Sequence, residues 1–175
     1  MKIVDMNKII SIINEEINGF NQSEYLRWKR QNVTLRGIRD RYSGTEGNGT
    51  YGSFGNGLYT AFLSNKSLAK EYGNVYFVVG AIPKHPKVVQ DRNMAEIFMQ
   101  ELVMRYGKEN GIANYFDAKK DFELKTSIEK EMLKLGYDGL VIKGREMVNY
   151  SPDNDKIRYF ETDNQLIRYY EDFIQ

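Results

Sequence analysis

The chain has no cysteine, one histidine and three prolines in 175 residues. Without cysteine there is no disulfide, no thiolate nucleophile and no cysteine-ligated zinc. A single histidine removes multi-histidine metal sites and leaves almost no room for a Ser-His-Asp triad. No apolar run approaches the ~20 residues that a membrane-spanning helix needs. The first residues, Met1 to Lys8, alternate charged and apolar side chains and lack a secretory core. These absences predict a cytoplasmic protein with no membrane association and no metal. Charge of one sign is also missing, because 25 Lys and Arg against 24 Asp and Glu leave a net charge of +1. Any polyanion site must therefore be a local patch.

What is present is ordinary for a folded domain: 41% hydrophobic residues and 13% aromatic residues. That length and composition predict one domain over residues 1–175, with a helical segment over 1–30 packed on it. Ile3, Met6, Ile9, Ile10, Ile13, Ile17 and Phe20 recur at helical spacing. Ser23 offers a cap for a second short helix running to Trp28. Val33, Thr34 and Leu35 form a β-favouring run that ends at Arg36. Residues 42–57 read as a mobile loop rich in Gly, Ser, Thr and Asn. A strand follows at 58–62, then a helix of about two turns between a cap at Ser64 and Gly73.

Residues 75–82 read as a central strand, ended by Pro83 and Pro86. Met94, Ile97, Phe98, Leu102 and Tyr106 mark one amphipathic helix. Leu124, Ile128, Met132 and Leu135 mark another, stopped by Gly136. Short strands are expected at 139–142, 147–150 and 157–160. Asp163 caps a last helix with Leu166, Ile167, Tyr170 and Phe173 inward. No repeat or linker interrupts this order, so the class is α+β.

Gly47-Asn-Gly-Thr-Tyr-Gly52 is a literal G-x-G-x-x-G, but its context excludes a dinucleotide fingerprint. That motif needs an apolar strand before it and a helix after it. Here Arg39-Asp-Arg-Tyr-Ser43 precedes and Ser53-Phe-Gly55 follows. More informative is the segment from Gly52 to Ala61, followed by 64–73 with Tyr72 near its end. An Arg-Gly pair lies upstream at Arg36 and Gly37. An isolated carboxylate, Glu146, opens a strand-like run downstream. Alternation puts Leu58 and Tyr59 on opposite faces of a strand, so Tyr59 is expected to look away from the main core.

In that order these segments resemble the ADP-ribosyltransferases, particularly the poly-ADP-ribose-polymerase and diphthamide-toxin branch. Residues 54–61 are similar to its glycine-tyrosine strand, 65–72 to its Ser-Lys-Ser-Ala-x-x-Tyr helix, and 146–150 to its Glu strand. The resemblance implies two small, mainly antiparallel sheets around an NAD cleft, with flanking helices. It also implies NAD+ as the substrate, split at the nicotinamide–ribose bond. Splitting that bond passes through an oxocarbenium-like state, which calls for a fixed ribose and nearby negative charge.

By the resemblance, Glu146 holds the ribose 2′-hydroxyl and stabilises the cation. Tyr59 and Tyr72 flank the nicotinamide, and Arg36 orients phosphate or ribose. Gly37 brings backbone groups to the carboxamide, and Ile38, Ser53, Gly57 and Thr60 complete the cofactor contacts. Arg36 stands where the polymerase branch has His, which implies single transfer rather than chain elongation. Gly144 occupies the place where related enzymes carry an acceptor-choosing Glu or Gln, with Lys143, Arg145 and Asn149 nearby.

Arg27, Lys29, Arg30, Arg39 and Arg41, with Trp28 and Tyr42 interleaved, suit phosphate contact and base stacking as well as a solvated face. They tilt the acceptor from protein slightly toward RNA or DNA. By analogy the chain reads as an intracellular toxin of a toxin–antitoxin or phage-related system, with a possible antitoxin partner. The alternatives are an NAD glycohydrolase and an inactive module of the same fold that binds a nucleotide or a protein. A further alternative is transfer to an RNA 2′-phosphate, but phosphotransferases of that kind depend on additional Arg and His positions, and His85 alone hardly serves.

Overall fold

The computed structural model describes residues 19–39 and 50–174. The helix expected before Gly19 lies outside the described residues, as do Arg41 and Tyr42 of the basic cluster and the first half of the G-x-G-x-x-G run. The chain begins with helix α1 (Gln22–Asn32) and strand β1 (Val33–Ile38). Next come β2 (Thr50–Gly52), β3 (Gly55–Ala61) and helix α2 (Lys66–Glu71). Strands β4 (Asn74–Val79) and β5 (Pro86–Val89) lead into helices α3 (Arg92–Glu109), α4 (Tyr115–Lys125) and α5 (Ile128–Lys134). Then follow β6 (Gly139–Ile142), β7 (Glu146–Asn149), β8 (Arg158–Phe160) and α6 (Asp163–Phe173).

The strands form one mixed sheet in the order β5-β6-β7-β3-β1-β4-β8, with β2 attached to β3. Only β5 and β6 run parallel; the other ladders are antiparallel. The α+β class holds, but the two separate sheets expected from the sequence are one sheet. The Leu35↔Ala61 pair of β1 and β3 makes the join. It is a narrow join. β1 pairs with β4 at six positions and β3 with β7 at four, yet β1 and β3 share only that one. Hairpin strand β2 pairs with β3 farther along, from Gly55 to Gly57. Beyond Leu35, β1 forms no further ladder with β3. Residues 36–38 and 58–60 face each other across a gap without forming a ladder.

Strand register puts the apolar residues facing all six described helices on one side of the sheet. Leu140, Ile142 and Val148 pack under α3, α4 and α5 in the largest core cluster. Leu35 and Ala61 meet Leu68 and Ala69 of α2. Val33 and Val79 meet Tyr25 of α1 and Leu166 and Tyr170 of α6, where aromatic rings are 5.1–6.4 Å apart. Leu58, Val78 and Ala81 form a small cluster on the other side.

Several boundaries moved for physical reasons. Asn21, Asn65 and Thr162 cap their helices rather than Ser23, Ser64 and Asp163, because their side-chain oxygens reach the first free N–H groups. Gly73 does follow the α2 cap, at φ +126°, where a side chain is strained. The helix expected through Leu124 and Ile128 is two helices, broken where Ser127 caps α5. Leu124 consequently points out, as do Met94, Ile97 and Phe173. The 75–82 strand stops at Val79, and it lies next to the edge strand β8 rather than at the centre of the sheet. Pro86, read as a terminator, instead begins edge strand β5, where no N–H is needed. Residues 50–57 are not all loop, since β2 and the start of β3 lie there.

Candidate active site

The gap between β1 and β3 opens into a cavity of about 570 Å³ on the helical side of the sheet. Its floor is the unladdered backbone of the two strands. One wall is α2, through Leu68, Ala69 and Tyr72; the other is the β2–β3 turn with the start of α3. Glu146 closes one end. Strand backbone with no ladder partner presents N–H and C=O groups that need hydrogen bonds. A planar amide is one group that satisfies both kinds at once.

Glu146 is the first residue of β7, after a tight turn at Gly144 (φ +67°). It pairs with Ala61 while Val148 pairs with Tyr59, so Glu146 and Tyr59 are diagonal neighbours on one face. Its side chain is 13% exposed and accepts a 3.3 Å hydrogen bond from Arg145 Nε. The carboxylate is thus fixed at the cavity rather than free on the surface.

Tyr59 is tied down at its tip. Its hydroxyl donates to Gly55 O at 2.6 Å and accepts from Phe54 N at 3.2 Å. Burial raises the phenol well above the ordinary tyrosine range, and the Glu146 charge adds to that, so it stays protonated. The ring lies so close to Gly52 that a Cβ there would come within 2.2 Å of Cζ. Contrary to the expectation from alternation, Tyr59 does not turn away from the main core; it packs partly buried against the largest cluster. The turn is held from beneath as well. Buried Tyr150 donates to Phe54 O at 2.7 Å, and Glu129 accepts from Asn56 N at 3.1 Å.

Tyr72 caps the end of α2 on the opposite wall, with 52% of its surface exposed. Gly37 makes that wall possible. A Cβ at Gly37 would sit 1.9 Å from Ala69 O, so only glycine lets α2 lie this close to β1. Ile38 and Ser53 also line the cavity. Thr60 contributes to the lining, but its side chain alternates to the other face, and its Oγ1 is buried with no hydrogen-bond partner among the described residues. Gly57 is not part of the lining; it lets β3 pack against Asn149 O and Val148.

Arg36 is split between two places. Its backbone lines the cavity, while alternation puts its side chain on the face opposite Leu35 and Gly37. There Nη1 donates to the Tyr159 hydroxyl at 2.7 Å. Two other arginines reach the cavity. Arg39 Nη2 donates to Glu71 O at 3.1 Å, and Arg92, the first residue of α3, lies beside Ser53. Arg39 appears in the sequence as one of a basic run; nothing in the sequence singles out Arg92.

The rest of that run disperses. Lys29 pairs with Asp163 at 2.6 Å, and Trp28 packs against Tyr25 and Tyr170. Asn149, a candidate acceptor-choosing residue, is buried and donates to Ala81 O at 3.0 Å. No helix among the described residues is long and apolar enough to cross a membrane. The site therefore combines one positioned carboxylate, aromatic walls, cations on both rims and strand backbone that has no ladder partner among the described residues. Compared with known protein families, curated proteins and solved structures, the chain matches none.

Proposed function

We propose that the protein is an NAD+-dependent mono-ADP-ribosyltransferase, acting on a protein, RNA or DNA acceptor. One observation carries this reading: Glu146, Tyr59 and Tyr72, from three separate segments, converge on one cavity where the sheet opens. The breaking bond joins the ribose C1′ to the nicotinamide nitrogen. Nicotinamide leaves with the bonding pair and becomes neutral, so the departing side needs no strong acid. The sugar is left cationic. Glu146 accepts a hydrogen bond from the 2′-hydroxyl and places its charge beside that cation. Tyr59 and Tyr72 flank the nicotinamide, and the free backbone edge near Gly37 engages its carboxamide. The acceptor then bonds to C1′ and loses a proton to solvent.

The test is incubation with adenine-labelled NAD+ and cell extract, followed by separation of protein, RNA and DNA. Label on one macromolecular fraction is the expected result, and the fraction names the acceptor. Free ADP-ribose without macromolecular label would make the protein a glycohydrolase. Absence of both products would end the catalytic reading.

A further inference from the structure

We infer that the cavity's anion-binding residue is Arg92, acting with Ser53, and that Arg36 instead braces the sheet. The inference rests on the NAD+ reading above, and it names which side chain takes the diphosphate of that ligand. The first ground is the fate of Arg36. Its guanidinium donates to Tyr159 and lies 6.0 Å from that ring, while Tyr159 packs edge-on against Tyr76. This joins β1 to β8 across β4 on the face away from Tyr59 and Glu146. An arginine so engaged has a structural task already.

The second ground is the setting of Arg92. It lines the cavity on the wall opposite Tyr72, 5.7 Å from the buried Phe54 ring, with Nη2 3.4 Å from Ser53 Oγ. The ring restricts the guanidinium plane, which prepares a planar fork for a phosphate. Its other partner is Glu96, an exposed i,i+4 pair at 3.2 Å. That pair is made through Nε and is weak, so it leaves the Nη groups able to turn toward a phosphate. The Ser53 hydroxyl, beside that fork, can turn its proton toward the same phosphate oxygen. Phe54 also fixes where the fork stands, because Tyr59 and Tyr150 hold the Phe54 backbone. Arg92 is therefore set relative to Tyr59 rather than carried on a free surface helix.

The test measures binding, not turnover. Isothermal titration with ADP-ribose and with adenosine compares wild type, Arg92→Gln, Arg36→Gln and Glu96→Gln. Arg92→Gln should weaken ADP-ribose at least tenfold while leaving adenosine within twofold. That difference separates a lost phosphate contact from a disturbed turn. Arg36→Gln should change ADP-ribose affinity less than threefold but lower the melting temperature. Glu96→Gln, which releases Arg92, should tighten ADP-ribose slightly. Unchanged ADP-ribose binding in Arg92→Gln, or a larger loss in Arg36→Gln, overturns the inference while the NAD+ reading survives. Wild-type protein that binds neither NAD+ nor ADP-ribose sinks both.

Discussion

The two walls of the cavity are built in opposite ways. On the β3 side, Tyr59 is held by two backbone hydrogen bonds, by Gly52 against its ring and by a turn that Tyr150 and Glu129 grip from other elements. On the α2 side, Tyr72 ends a six-residue helix, half its surface is open, and among the described residues no hydrogen bond fixes its hydroxyl. One tyrosine is over-determined and the other is nearly free. Under the proposed function, a site that holds a ribose rigid and still admits its ligand needs one wall of each kind. Glu146 belongs to the fixed wall, since β7 is laddered to β3 at four positions.

The strongest way to break this contrast is at the carboxylate. Glu146→Gln keeps the shape and removes the charge, so turnover should fall about 100-fold or more. NAD+ affinity, measured by titration, should stay within about threefold, because the fixed wall is intact. Wild-type turnover in that variant would remove Glu146 from the chemistry.

Gly37→Ala attacks the other wall. The added Cβ meets the Ala69 carbonyl, a backbone atom that cannot step aside. Stability should drop by about 1–3 kcal/mol, with loss of NAD+ binding as α2 is pushed off β1. A melt unchanged from wild type would show that α2 already moves freely.

The tyrosine pair sharpens the contrast directly. Tyr59→Phe strands Gly55 O and Phe54 N, and should lower stability by about 1–3 kcal/mol. Tyr72→Phe should stay within about 0.5 kcal/mol of wild type in chemical denaturation. Equal losses in the two variants would refute the fixed-and-free description.

The smallest effect is in alkaline solution. Burial raises the Tyr25, Tyr59 and Tyr150 phenols above the ordinary value of 10.0 in the folded state. Above that pH the folded chain binds more protons than the unfolded chain, so stability decreases as pH rises. It is fully present below pH 10 and lost progressively above it. Melting temperatures at pH 9 and 11 should diverge less in Tyr59→Phe than in wild type.

Part of this was legible in the chain. Apolar spacing located most elements from Val33 onward, though not the strands at 50–52 and 86–89 or the helix at 115–125, and the 139–142 strand has the expected limits. Helix ends were harder, because Asn21, Ser23 and Asp163 are all competent caps and only backbone geometry chooses among them. The decoy run of glycines was excluded by its neighbours. The Gly-rich turn, Tyr59, Tyr72 and Glu146 could be picked out because, in their order along the chain, they resemble the segments of a known family. Arg92 could not, since it opens an amphipathic helix like many other surface arginines. The basic run misled for the same reason: charge in sequence does not say whether Lys29 faces a phosphate or Asp163.

By itself, the sequence determined the α+β class, the residue types available for chemistry and those that are missing, because composition and periodicity are local properties of the chain. Only the tertiary structure decided that the sheet is one and not two, that it parts beyond Leu35, and that Arg36 and Arg92 lie on different faces. Those facts depend on pairings such as Leu35 with Ala61 and on side chains such as Arg36 meeting Tyr159. These are contacts between distant segments, which no window of sequence contains.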